Sequence, residues 1–140
     1  MDAITETLID IHPKTLDDIV RKNRDKLRIY ASTEEELGAL HAPVPIQAVT
    51  GVISHWSFLT LFFVELKQPA IHLHGYNAEE RSSWMTSAVV GIHGNAVATR
   101  SGSLYMLDGE QSDEEDLEYI CATLHSWGLG PKFDVPPFFF

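Results

Sequence analysis

The sequence is short of cysteine, of positive charge and of long apolar runs, and each shortage excludes a class of protein. A single cysteine among 140 residues, Cys121, excludes an internal disulfide framework. Ten Lys and Arg stand against twenty Asp and Glu, for a formal net charge of −10. A field of that sign repels phosphate backbones, so nucleic acid is not an expected partner. No apolar run is long enough to cross a bilayer, so no membrane partner is expected. The opening residues Met1-Asp2-Ala3-Ile4-Thr5-Glu6 lack the basic, apolar and small-residue zones of a signal peptide, and a cytoplasmic location is expected. The chain also has no G-x-S-x-G elbow, no Walker loop and no G-x-G-x-x-G. No catalytic residue is assigned, no cofactor is expected, and the expectation is a protein that is not an enzyme.

What is present suits one core: 44% of the residues are hydrophobic and 10% aromatic, and one domain is expected over residues 1–140. Over residues 15–29, Leu16, Ile19, Val20 and Leu27 fall at roughly helical spacing, with Thr15 placed as N-cap. A second short helix is expected at 33–40, capped by Ser32 with Glu35 completing the box, and stopped by Pro43 and Pro45. The middle turns to β-branched and aromatic residues. Strands are expected at 46–54, 56–66, 70–74, 84–93, 96–100 and 104–107, with a bulge at Gly51 and turns at Gly94-Asn95 and Ser101-Gly102. A last helix is expected after Ser112 as N-cap, with Leu117, Ile120, Cys121 and Leu124 along one face. The expected fold class is α+β: two N-terminal helices, a curved, mostly antiparallel sheet of about six strands, one C-terminal helix and an aromatic tail, Pro136 to Phe140.

Charge is unevenly placed. The first thirty residues hold six acids and six bases, so the whole excess lies after Tyr30. Half of the later acids fall in one stretch without an interrupting base: Asp108, Glu110, Asp113, Glu114, Glu115, Asp116 and Glu118. Acids at a helix start also serve the helix dipole, which accounts for Asp113 to Asp116 locally. It does not account for Asp108 and Glu110. The stretch, with Tyr119 beside it, is the candidate partner-binding surface, suited to a basic protein site. Trp84, Tyr105, Tyr119 and Trp127 are candidate aromatic anchors, although core packing explains each of them as well.

The alternative site is metal-binding. His72 and His74 lie two apart on an expected strand and so share a face, with Glu79 five residues on and His93 on the next expected strand. An H-x-H followed by a Glu is similar to the cupin motif. The glycine before the first histidine, the glycine after the Glu and the second cupin motif are absent. A histidine pair on a strand is equally a structural feature. Cys121 on an apolar helix face reads as an inert core residue.

The segment Trp84 to Leu107 resembles a β-hairpin signature of small bacterial and phage proteins without assigned activity. The matching positions are Trp84, Thr86, Ser87, Val89, Val90, Gly94, Val97, Thr99, Ser103, Tyr105 and Leu107, and the Trp127-Gly128-Leu129-Gly130 run fits as well. The resemblance implies a bacterial or phage origin, where small acidic proteins act as immunity proteins or as inhibitors of defence enzymes. The leading expectation is therefore a non-enzymatic inhibitor that occludes a basic site on a bacterial toxin or a phage-defence complex. The alternatives are a small metal-binding protein or metalloenzyme using the histidine pair, and a phage or bacterial structural component assembled through the aromatic tail, with a homodimer left open.

Overall fold

A computed structural model describes residues 15–20 and 23–129. The expected α+β layout with an open curved sheet is overturned: the chain is mostly β, and its sheet closes on itself. Six strands run in chain order, β1 (Leu27–Ala31), β2 (Gly51–Phe63), β3 (Gln68–Asn77), β4 (Ser82–His93), β5 (Ala96–Thr99) and β6 (Leu104–Asp108). Two short helices accompany them, α1 (Glu34–Ala39) and α2 (Leu117–Ser126). Strands β2 to β6 form an antiparallel meander, and β6 returns to pair with β2. Each hairpin reverses direction, so the fifth strand of a meander runs the same way as the first. The closing pair is accordingly parallel, Gly51–Ser54 against Tyr105–Asp108. Closure removes the free edges of the five barrel strands. β1 is the extra strand, antiparallel to the second half of β2.

The segment 15–29 is not the expected helix. Among its described residues, Asp17–Val20 form a single 3-10 turn, and the chain is extended from Leu27. The apolar residues there fit two periods. Ile19 and Val20 pack from the turn, while Leu27 and Ile29 alternate with the exposed Arg28 and face inward from a strand. Arg24 and Arg28 share one acid. Arg28 makes a two-pronged contact with Asp17 at 2.8 Å for each nitrogen, and Arg24 reaches the same carboxylate at 3.0 Å. The hydrogen bond from Arg28 holds the Asp17 carboxyl below its ordinary range. The aromatic tail Pro136 to Phe140 lies outside the described residues.

Strand β2 is one long strand where two were expected. At His55 the backbone turns to φ 48°, and the pairing with β3 slips between Ser54 and Ser57. This is the bulge, four residues beyond Gly51. An extra residue bends a strand and increases its twist. Here the bend lets the first half of β2 close the barrel with β6 while the second half leaves to pair with β1.

Two cores result. Ile53, Phe58, Ile71, Leu73, Val89, Val97, Tyr105 and Leu107, drawn from all five barrel strands, fill the interior. Leu59 and Leu61, on the opposite face of β2, pack outside the barrel against Ile19, Leu27 and Ile29, and against Ile120, Cys121 and Leu124 of α2. A strand covered on both faces reads as a nearly continuous apolar run, which explains the composition of residues 56–66.

Helix α1 covers one end of the barrel through Leu37 and Leu40. Its capping box is Thr33 with Glu36, one residue later than the Ser32–Glu35 reading. Glu36 also ties the helix to the sheet. Its carboxylate accepts from Tyr30 Oη at 2.9 Å, Thr60 Oγ1 at 3.0 Å and the Thr33 amide at 3.0 Å. Burial alone would raise its pKa, but these hydrogen bonds outweigh burial and lower it. Tyr30 is pushed up to about 12, by burial first and by Glu36 second. Glu36→Ala leaves three donors without their acceptor. It is expected to cost roughly 2–3 kcal/mol in denaturant unfolding, more than an ordinary cap deletion.

Candidate functional site

The acidic stretch does not form one helix start. Helix α2 begins at Leu117 with Asp116 as N-cap, and residues 109–115 run in front of it as a strap across the bulged part of β2. Two hydrogen bonds fasten the strap to Trp56: the indole N–H donates to the Gly109 carbonyl at 3.1 Å, and the Trp56 carbonyl accepts from the Ser112 amide at 2.8 Å. Ser112 caps locally, its Oγ accepting from the Glu114 amide at 3.1 Å.

Asp116 is the joint between strap, helix and barrel. One carboxylate oxygen accepts the Tyr119 amide at 3.1 Å, the other accepts Ser83 Oγ–H at 2.8 Å, and its own amide donates to His74 Nε2 at 3.2 Å. Its negative charge is thereby committed to structure. Asp108, Glu110, Asp113, Glu114 and Glu118 are exposed, and Glu115 is half-buried with its carboxyl raised by burial first and by Asp113 second. Among the described residues no Lys or Arg lies within ion-pair distance of any of the seven. Beside the strap is a recess of about 230 Å³, bordered by His55, Tyr76, Ser83, Glu114 and Glu115, with His74 and Asp116 toward its base. Tyr76 is 40% exposed there.

The histidine pair does share one face of β3, as period two requires, but that face is covered by α2. His72 and His74 are 7% and 3% exposed. Their Nδ1–H groups donate to the carbonyls of Thr86 at 2.9 Å and Trp84 at 3.0 Å. His74 Nε2 is occupied by the Asp116 amide. Trp127 lies over His72 at 4.8 Å between ring centroids, and Tyr119 over His74 at 6.2 Å. Burial lowers the pKa of both rings, which fits their neutral hydrogen-bonding pattern. His93 sits at the far end of β4, five residues beyond the Ala88 that pairs with His72, about 17 Å along the strand. It stacks on His41. Glu79 lies in the β3–β4 turn at the opposite end. The four residues of the metal reading are therefore not brought together. Among the described residues no three His, Cys, Asp or Glu are grouped as a metal would need.

The chain matches no protein-family model, no curated protein and no solved structure. Function must be read from the residues themselves.

Among the aromatic anchors, Tyr105 is buried in the barrel, and Trp84 donates its indole N–H to Tyr105 Oη at 3.2 Å. Tyr119 packs against the outer core, and Trp127 is 40% exposed. Cys121 is fully buried, and burial pushes its thiol up to about 12, the state of an unreactive thiol. Sequence reasoning did not find Tyr76, Ser83 or His55. No spacing links them to residues 108–118; the bulge and the β3–β4 register bring them beside the strap. No helix among the described residues is long and apolar enough to cross a membrane.

Proposed function

We propose that the protein is a non-enzymatic binding protein that presents the strip from Asp108 to Glu118 to a basic site on a partner protein and occludes it. One observation carries this reading: the strip holds five exposed carboxylates without Lys or Arg partners among the described residues, and one of them, Glu114, lines a recess together with the half-buried Glu115 and with Tyr76. The strip supplies long-range attraction. The recess suits an arginine or lysine of the partner, held between Glu114, Glu115 and the aromatic face. The strap is fastened at Trp56 and Asp116, so its backbone is pre-positioned and the ordering on binding is confined to side chains. The hairpin resemblance points to a bacterial toxin or a phage-defence complex as the partner class, with the protein acting as immunity protein or inhibitor.

Glu110, Glu114 and Glu118 are the residues to reverse, because their carboxylates make no hydrogen bond that the fold needs. Partners captured from a bacterial lysate by the wild-type chain can be compared with those captured by the triple Glu→Lys variant at rising salt. The expected result is a basic partner whose affinity drops about 10- to 100-fold in the variant, with a shallower salt dependence. Equal affinity and an equal salt slope would remove the electrostatic basis of the proposal. Unchanged thermal unfolding of the variant separates lost binding from lost fold.

A further inference from the structure

At the other end of β3 from the acidic strip, the chain encloses a second and larger space, a cleft of about 320 Å³ between α1 and the β3–β4 sheet. Its wall is apolar, with Ala39 from the helix, Leu40 at the helix C-cap and Ala70, Ile71 and Val89 from the strands. Charged groups stand on its border. Arg100 follows β5, its backbone fixed by an amide hydrogen bond of 2.8 Å to the Ala88 carbonyl. Among the described residues no carboxylate lies within ion-pair distance of its guanidinium. Across the cleft are Glu35 and Glu36. The Glu36 carboxylate is consumed by Thr33, Tyr30 and Thr60, so it acts as a fixed negative wall. Glu35 is exposed, and its carboxylate makes no such bonds.

We propose that this cleft binds a small apolar α-amino acid in its zwitterionic form. The volume lies at the lower end of the range for small-molecule sites, which suits a ligand of that size. The apolar wall takes the side chain, Arg100 takes the carboxylate and Glu35 takes the ammonium. Charge decides among ligand classes. A simple carboxylate meets Arg100 but also two negative groups. A simple amine meets the carboxylates but also the guanidinium. A zwitterion offers each pole its opposite, and it has no net charge to be repelled by a chain of net charge −10. The site is independent of the acidic strip and does not depend on any partner protein.

Titration of the methyl resonances of Leu40, Ile71 and Val89 by NMR tests this, with L-leucine, 4-methylpentanoate (the carboxylate without the amine) and 3-methylbutylamine (the amine without the carboxylate) as probes. Saturable shifts are expected with leucine at millimolar concentration or below. The two truncated probes are expected to bind at least about tenfold more weakly, and Arg100→Gln and Glu35→Gln each to weaken leucine about tenfold. Both side chains are at the surface, so unchanged spectra of the unliganded variants will show that the fold is intact. Absence of saturable shifts with leucine overturns the proposal. So does equal binding of either truncated probe, or leucine binding that neither substitution alters.

Discussion

Gly75→Ala is expected to cost on the order of 3–5 kcal/mol or to prevent folding, whereas Gly91→Ala in the neighbouring strand leaves stability unchanged or slightly raised. Both glycines are buried strand residues, and the substitution adds one methyl group in each case. The surroundings differ. At Gly75 an added Cβ stands 2.5 Å from Ile53 Cγ2, 2.8 Å from the Ser54 carbonyl oxygen and 3.1 Å from Trp56 Cα. Two of those three atoms belong to the backbone on either side of His55, so no side-chain rotation relieves them. The bulge would have to move away from β3, and with it the bend that brings β2 to β6. At Gly91 the same methyl meets only Val44 Cγ1 at 3.7 Å and the Pro43 carbonyl at 3.9 Å, ordinary contact distances. Domain stabilities are about 5–15 kcal/mol, so the first loss is a large part of the whole. Denaturant midpoints of the two variants measure the difference. Equal midpoints would mean that the bulge is not held tightly against Gly75, and that closure of the barrel rests on something else.

Gly75 also shows why the barrel was harder to read than its parts. The hairpin turns at Gly94 and Gly102 announce themselves locally, and both glycines have positive φ. The buried face of α2 follows from the spacing of Ile120, Cys121 and Leu124. Closure depends instead on a parallel pairing of Gly51–Ser54 with Tyr105–Asp108, residues far apart in sequence with no local signature. The bulge that permits it falls at His55, not at a glycine. The glycine that accommodates it is on the next strand. Helical spacing over 15–29 misled because Leu16, Ile19 and Val20, at one turn, and Leu27, from a strand, fit a single helical stripe by coincidence. At the candidate sites the limit is similar. Period two placed His72 and His74 on one face, and the sequence marked the acidic run. The groups that bind the two rings are the carbonyls of Trp84 and Thr86 and the amide of Asp116. Backbone partners leave no side-chain pattern to read.

Burial of the two rings makes the protein sensitive to mild acid. In the unfolded chain both histidines titrate near their ordinary value of 6.5, and in the folded protein burial holds both below it. As pH falls below about 6.5 the unfolded state takes up two protons that the native state refuses, so stability present at neutral pH is lost on the way down through the folded values. The ceiling of this slope, two protons taken up by the unfolded state and none by the native state, is about 2.7 kcal/mol per pH unit. The neighbouring charges act unequally: Arg100 disfavours the charged form of His72, whereas Asp116 partly favours that of His74. Carboxylates held by hydrogen bonds, such as Asp17 and Glu36, weaken the fold only at lower pH, because their native values are lowered from an already acidic range. Glu115, whose carboxyl is raised by burial, acts in the opposite direction, so the histidine contribution between about pH 7 and 5 is read as the difference between the wild type and histidine variants in denaturant unfolding. His72→Gln and His74→Gln are each expected to remove about half of the slope there, and the double variant nearly all of it. A flat profile in the wild type, or a slope that survives in the double variant, would show that the pair is not what links α2 to pH. Protonation of His74 Nε2 eliminates its acceptor lone pair, so the Asp116 amide loses its partner and the start of α2 is released first. Asp116 also anchors the acidic strap, and a partner held by that strap is therefore expected to dissociate more readily in mild acid than the added positive charge alone would cause.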